Sequence, residues 1–301
     1  MLLVTGITGH TGKYFIQELI NYQRYNKKIR CTVRESSDTS QIDNSGLNIE
    51  KVFGDLNDEL FIKDTMVGIR EVLHIYNIHH SPLIVKEAIE AKVERIILVH
   101  TTGIFSDFKE ASQNYKNIEK EIFQLAEEQG YIDKITIIRP SMIYGDMNDS
   151  NMSKFIKMVD RLRLFPVIDN GKSLIQPVNA RDLGKAYFDI LLNPEETKGK
   201  QYNLTGKNPI TLHEALKTIS KELNKKTVFF SIPLSFGVLT AKIIRLLTVS
   251  KIDIVEKVQR MAENRSYSHE EASNDFNYAP IDFNQGIKKE IDEYLGGKNK
   301  K

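Results

Sequence analysis

The chain has 301 residues, 41% of them apolar and 27% charged, which suits one large α/β domain or two modest ones and excludes a disordered chain. Its 42 Lys and Arg stand against 40 Asp and Glu, a net charge of +2 without the basic excess that nucleic-acid binding requires. The single cysteine, Cys31, excludes a disulfide framework and a thiolate metal cluster, and His79-His80 lack a nearby carboxylate or third His, so no metal site is expected.

The start Met1-Leu2-Leu3-Val4-Thr5-Gly6 lacks the pattern of a signal peptide, and a cytoplasmic, reducing setting is expected. Residues 1–4 read as a short strand entering a Gly-rich turn, and 12–22 as a helix with Phe15, Ile16, Leu19 and Ile20 on one face. Further strands are expected at 29–33, 49–53, 71–78, 95–99 and 134–138, β-branched runs of the kind buried on both faces. Helices at 82–91 and 115–129 fall between the later strands, and 35–46 reads as a polar loop. Beyond Gly145, helices at 151–162, 181–192 and 211–224 alternate with extended segments at 173–178, 201–204 and 227–232. The most apolar stretch, 232–249, carries Lys242 and Arg245 and is a poor membrane span. Val238, Leu239, Ile243, Leu246 and Leu247 make it an amphipathic helix, read as a substrate-lobe or interface helix ahead of a membrane-surface one. The tail 298–301 is expected to be disordered.

This alternation implies an α/β fold, a Rossmann-type doubly wound parallel sheet with a smaller C-terminal substrate lobe. Residues 1–145 form the expected dinucleotide-binding domain, completed by parts of 173–224, and 146–301 an interwoven substrate-binding lobe.

Between the first strand and first helix stands Gly6-Ile7-Thr8-Gly9-His10-Thr11-Gly12. A pyrophosphate resting on backbone N–H groups at a helix N-terminus needs such a turn, because no Cβ can intrude and positive φ is required. The spacing differs from G-x-G-x-x-G and resembles the G-x-x-G-x-x-G turn of the short-chain dehydrogenase/reductase superfamily, in its extended and atypical branches. Those branches include the epimerase/dehydratase-like proteins and the NmrA-like (nitrogen-metabolite-repressor) proteins. Gly54-Asp55-Leu56 resembles the step that contacts adenine, with Asp55 on the base, and Arg139-Pro140-Ser141…Tyr144-Gly145 the element that passes the nicotinamide. Gln176-Pro177-Val178-Asn179-Ala180-Arg181-Asp182-Leu183 and Tyr202-Asn203-Leu204-Thr205-Gly206 resemble the return into the first domain and its next strand. Residues 268–287 are similar to the C-terminal tail of nucleotide-sugar epimerases, so the likeness covers nearly the whole chain.

The resemblance implies a nicotinamide cofactor. About 20 residues beyond the turn, at the end of the second strand, stands Arg34 rather than an acid, which points to the 2′-phosphate of NADP over the ribose hydroxyls of NAD. Ser36 and Ser37 can add hydroxyl donors. Cofactor contacts are expected from Gly6, Thr8, Gly9, His10, Thr11, Gly12, Arg34, Asp55, Leu56, Tyr76, Asn77, Thr101, Pro140 and Ser141.

The superfamily works through a Tyr, a Lys one helical turn later, and a Ser or Thr ending strand five. Thr101-Thr102 supplies the hydroxyl and Tyr115 the phenol, but Glu119 occupies the Lys position. Lys116 lies about 100° and Lys120 about 140° around the helix from Tyr115. A shifted helix using Lys116 or Lys120, another acid/base, and loss of catalysis all stay open. His80, beside His79 at the carboxyl edge of the sheet, is a candidate acid, so the catalytic candidates are Thr102, Tyr115, Lys116 and His80. Met142 and Tyr144 are expected in the pocket floor with Ser141. Lys154, Lys157, Arg161 and Arg163 form either a clamp for an anionic substrate such as a nucleotide diphosphate or a solvated helix face. The expected activity is an NAD(P)-dependent oxidoreductase or epimerase acting on a small molecule, with a non-catalytic NADP-binding sensor as the alternative. Homodimers are common in the superfamily, and no membrane span is expected.

Overall fold

Strand β1 (Leu2–Thr5) is buried along its whole length, so it needs neighbours on both edges and helices on both faces. The computed structural model describes residues 1–22, 24–108, 110–248 and 254–298. After β1 come α1 (Gly12–Asn21), β2 (Ile29–Val33), α2 (Ser40–Asp43), β3 (Ile49–Phe53), α3 (Glu59–Thr65), β4 (Glu71–His74), α4 (Ser81–Glu90), β5 (Arg95–Val99), α5 (Ser112–Glu128) and β6 (Ile135–Pro140). The second half runs β7 (Ile143–Tyr144), α6 (Met152–Arg161), β8 (Leu164–Ile168), β9 (Leu174–Ile175), β10 (Val178–Asn179), α7 (Ala180–Leu192), α8 (Pro194–Thr197), β11 (Gln201–Leu204) and β12 (Ile210–Thr211). It closes with α9 (Leu212–Glu222), β13 (Val228–Ile232), α10 (Leu234–Leu247), α11 (Val255–Met261), α12 (Glu270–Phe276) and α13 (Phe283–Lys298).

The main sheet has seven strands in the order β11-β6-β5-β4-β1-β2-β3. Every pairing in it is parallel. Helices α1 and α7 cover one face, over a core that includes Phe15, Leu19, Leu183 and Tyr187. Helices α3, α4 and α5 cover the other, over Ile62, Ile84, Val85, Ile118 and Ile122. This is the doubly wound Rossmann arrangement. Strand β11 completes the sheet from beyond residue 173, so the C-terminal half weaves back into the first. The smaller lobe has its own core, where α6, α9 and α13 bring Ile156, Leu216 and Ile287 together. A buried cation ties the layers: Arg95 on β5 donates to the carbonyls of Ile190 and Leu191 at the end of α7, satisfying helix-terminal acceptors.

Several expected boundaries shift, each for a local reason. Strand β4 ends at His74 rather than at 78, because the Asn77 side chain accepts from the His79 N–H and starts a 3-10 turn leading into α4. The polar segment 35–46 contains α2, whose Ile42 turns into the core. Helix α3, absent from the sequence reading, is capped by Asp58, which accepts from the N–H groups of Leu60 and Phe61. Strand β8, also unanticipated, exists through its parallel pairing with β13. Lys298 ends α13, and the rest of the 298–301 tail lies outside the described residues.

Candidate functional site

Strand order reverses beside β1, whose neighbours are β2 and β4, and a parallel sheet opens a crevice at such a switch point. The turn after β1 fills that crevice. Gly6 has φ +77°, and a Cβ there would stand 2.8 Å from the Tyr76 nitrogen on the loop after β4. At Gly12 a Cβ would meet the Gly6 carbonyl at 2.3 Å, so helix α1 starts against the turn itself. Thr11 precedes α1 without a side-chain cap, and the Lys13 and Tyr14 N–H groups of the first turn go instead to the Gly9 and Thr11 carbonyls, which ties the helix start to the Gly-rich turn. Asp146, from the other lobe, locks the turn: Lys13 Nζ lies 2.7 Å and His10 Nε2 3.2 Å from its Oδ2, and Tyr14 donates to the same oxygen. Burial opposes ionisation of Asp146, but these three hydrogen bonds outweigh it and hold the carboxyl well below the usual carboxylate range.

A cavity of about 420 Å³ opens on one side of the turn. Its walls include Gly6, Thr8 and Gly9, then Arg34 and Ser37 beyond β2, Asp55 and Leu56 beyond β3, and Tyr76 and His80 beyond β4. Arg34 has no carboxylate within 4 Å among the described residues. Ser37 binds the Arg34 N–H through its Oγ at 3.3 Å, whereas Ser36 lies outside the cavity wall. Asp55 is held by the side chain and N–H of Asn57, both at 2.9 Å. The His80 ring stacks on Tyr76 with centroids 5.2 Å apart.

A second cavity of about 430 Å³ begins at His10 and runs between the lobes. Thr101, Thr102 and Ser141 line it from the sheet edge, Met142 and Ile143 from the crossing, and Gln176, Arg260, Arg265 and Tyr267 from the C-terminal lobe. Thr102 donates to the Pro140 carbonyl at 3.2 Å and Ser141 to the Gln176 carbonyl at 2.5 Å. Gln176 in turn accepts from the Tyr267 N–H and donates to the Gly206 carbonyl, pinning the far wall. The Arg265 Nε is buried without a hydrogen-bond partner, and no carboxylate oxygen lies within 4 Å of its guanidinium among the described residues. Burial, with the charge of Arg260 beside it, holds Arg265 down to about 10, still cationic at neutral pH. The nearby Glu263 is taken up by Ser106 Oγ and the Asp107 N–H.

The structure thus brings Gly6, Thr8, Gly9, Arg34, Asp55, Leu56, Tyr76 and His80 around one cavity and His10, Thr101, Thr102 and Ser141 around the next. Thr11 and Gly12 sit behind the turn, Asn77 caps the following 3-10 turn, and Pro140 presents only its carbonyl to Thr102. Tyr115 and Lys116 line neither cavity. Tyr115 packs on the α3–α5 core and against the His79 ring, and Lys116 is exposed on α5. Lys154, Lys157, Arg161 and Arg163 also stand in solvent, leaving Arg260 and Arg265 as the cavity's cations. No local signal marked those two, because they reach the crevice only through the placement of α11, which carries Arg260, and the path of the chain after it, which carries Arg265.

Glu119 has a structural explanation. It is buried under β6 and takes a two-pronged bond from Arg139, Nε to Oε1 at 2.8 Å and Nη2 to Oε2 at 2.5 Å. His100 Nδ1–H donates to Oε1 at 2.9 Å. Burial works against the Glu119 charge, but His100 and Arg139 together lower its pKa.

The NmrA-like family model matches residues 1–294. The chain belongs to the NmrA-like family. Among curated proteins, a sterol demethylase protein B from Methylococcus capsulatus is 30% identical over 117 residues, 34% of each chain, so the likeness spans about a third of that relative. Among solved structures, a dTDP-glucose 4,6-dehydratase from Streptomyces venezuelae with NAD bound superposes with TM-score 0.74 at 14% identity, covering 99% of this chain and 98% of that one. An NADPH-dependent quinone oxidoreductase from Escherichia coli gives TM-score 0.68 at 17% identity, covering 98% and 100%. These likenesses establish the Rossmann-type fold, and a nicotinamide cofactor fits the glycine cradle. No helix among the described residues is long and apolar enough to cross a membrane.

Proposed function

We propose that this protein is an NADP-dependent oxidoreductase whose substrate is a small anionic molecule. The observation that carries this reading is the pair of cavities sharing the Gly-rich turn, one lined by Arg34 and the other by Thr102, Arg260 and Arg265. The first receives the adenosine half: Asp55 stands at the base, Arg34 and Ser37 at the 2′-phosphate, and the Gly-rich turn at Gly6, Thr8 and Gly9 at the pyrophosphate. Tyr76 and His80 close that cavity toward the reacting ring. When bound, the cofactor supplies or takes the hydride; the chain supplies position and charge.

In the second cavity the Thr102 hydroxyl can polarise a substrate oxygen, because its one side-chain hydrogen bond among the described residues is at 3.2 Å to the Pro140 carbonyl, which it can exchange. Ser141 and Tyr267 face the same space. The guanidinium of Arg265, buried and in no ion pair within 4 Å among the described residues, fits a carboxylate or phosphate group of the substrate, a role for which Arg260 stands beside it. With the lysine of the Tyr–Lys pair replaced by a carboxylate locked to Arg139, the reaction rests on positioning and on Thr102 and His80 rather than on an activated tyrosine.

Isothermal calorimetry with NADPH and NADH, then turnover of NADPH against quinones, carbonyl acids and nucleotide sugars, tests the proposal. Tighter NADPH binding and turnover of an anionic member of the panel are expected. Arg265→Gln should raise KM for that substrate while leaving NADPH affinity unchanged. The Glu119–Arg139 pair also favours a second reading, a non-catalytic NADP-binding sensor. NADPH binding without consumption by any of these substrates would select it.

A further inference from the structure

Helix α10 packs its small residues inward and leaves its large ones bare. Gly237 and Ala241 are buried, while Phe236, Leu239, Ile243, Leu246 and Leu247 are between 48% and 79% exposed. At about 100° per residue these five positions fall in one stripe about 100° wide, opposite the buried side. Amphipathic helices of a soluble core place such a stripe inward; here the chain carries it on the outside. Val228, Phe230 and Leu164 extend exposed apolar surface over the neighbouring β8–β13 ribbon.

The charges on α10 itself, Lys242 and Arg245, have one sign, while Asp169 accepts from the Leu234 N–H at its start and Glu256 stands on the neighbouring α11. Residues 223–248 hold Lys225, Lys226, Lys242 and Arg245 and not one Asp or Glu, in a chain whose net charge is only +2. Lys225 pairs with Asp160 at 3.1 Å, but Lys242, on the border of the stripe, and Lys226 have no ion-pair partner among the described residues. A two-fold contact between copies would set this cationic segment against itself with no carboxylate in it to answer. An anionic lipid surface complements both features.

We propose that α10 is an interfacial docking helix, lying flat on an anionic bilayer with its bare stripe at the acyl boundary and Lys242 and Lys226 among the head groups. The helix is too short and too charged to span, so the attachment is peripheral and reversible. It packs on α11, whose Arg260 lines the substrate cavity, so the docking face and that cavity belong to one lobe. The inference stands apart from the cofactor reading.

Co-sedimentation of the full chain with vesicles of phosphatidylcholine and phosphatidylglycerol, and with phosphatidylcholine alone, tests it. Binding to the anionic vesicles, weakened by high salt, is expected. Leu246→Ser/Leu247→Ser and, separately, Lys242→Glu should each lower partitioning roughly tenfold. Both variants change exposed side chains only, so melting temperature and NADPH affinity should stay at wild-type values. Absence of binding, or binding equal in wild type and variants, overturns the proposal. So does a wild-type dimer in sedimentation velocity that Leu246→Ser/Leu247→Ser converts to monomer, which would assign the face to a second copy.

Discussion

Replacing Glu119 isolates what the carboxylate in the lysine position does. In Glu119→Ala the Arg139 guanidinium loses both prongs, at 2.8 and 2.5 Å, and keeps only its bond to the Gln201 side chain at 2.7 Å. His100 loses its acceptor at 2.9 Å in the same step. Breaking a buried pair from one side costs about 3–5 kcal/mol, because the surviving charge remains desolvated. In a chain of 301 residues that corresponds to a melting temperature lower by roughly 5–8 °C. Glu119→Lys, which restores the superfamily's lysine in sequence, should be worse, since it places a second cation against Arg139, and it should not create or raise turnover. Removing both charges in Glu119→Leu/Arg139→Met should recover most of the loss. Thermal unfolding and urea titration of the three variants measure this. A loss below about 1 kcal/mol for Glu119→Ala, the range of an exposed pair, would refute the assignment, as would a double variant no better than the single one.

Three further outcomes follow from the same geometry. Arg34→Gln should weaken NADPH roughly 10- to 100-fold while changing NADH little, since a charge-assisted bond to phosphate is worth about 1.5–3 kcal/mol; equal loss of both cofactors would show that Arg34 does not meet the 2′-phosphate. Gly12→Ala should abolish cofactor binding and lower stability, because its Cβ would sit 2.3 Å from the Gly6 carbonyl, and a variant binding NADPH normally would contradict the close approach. Burial drives His74 from its ordinary 6.5 down to about 3, so below 6.5 the unfolded chain binds a proton that the folded chain refuses. Stability should therefore fall with pH between those values, by about 1.4 kcal/mol per unit. His74→Gln should remove that part of the slope in urea titrations, and parallel pH profiles for both proteins would refute it.

The first half of the fold was legible because it is locally determined. β-branched runs such as 95–99 can be satisfied only by burial on both faces, and the Gly-rich turn tolerates no other residue where the backbone closes on itself. Arg34, Asp55 and Tyr76 could be placed in sequence because a parallel sheet delivers every loop after a strand to the same edge. Tyr115 and Lys116 were misplaced because helical periodicity locates a residue on its helix but not that helix against the crevice.

By itself, the sequence determined the doubly wound sheet, the Gly-rich turn and the family, since these depend on residue types at short, regular spacings. Only the tertiary structure decided that Glu119 belongs to Arg139 and His100, partners that lie 20 and 19 residues away. It likewise decided that the cavity's cations are Arg260 and Arg265 rather than those of α6, and that the apolar stripe of α10 faces outward. Each is a matter of which distant surfaces meet, and a pattern read along one chain carries no term for that.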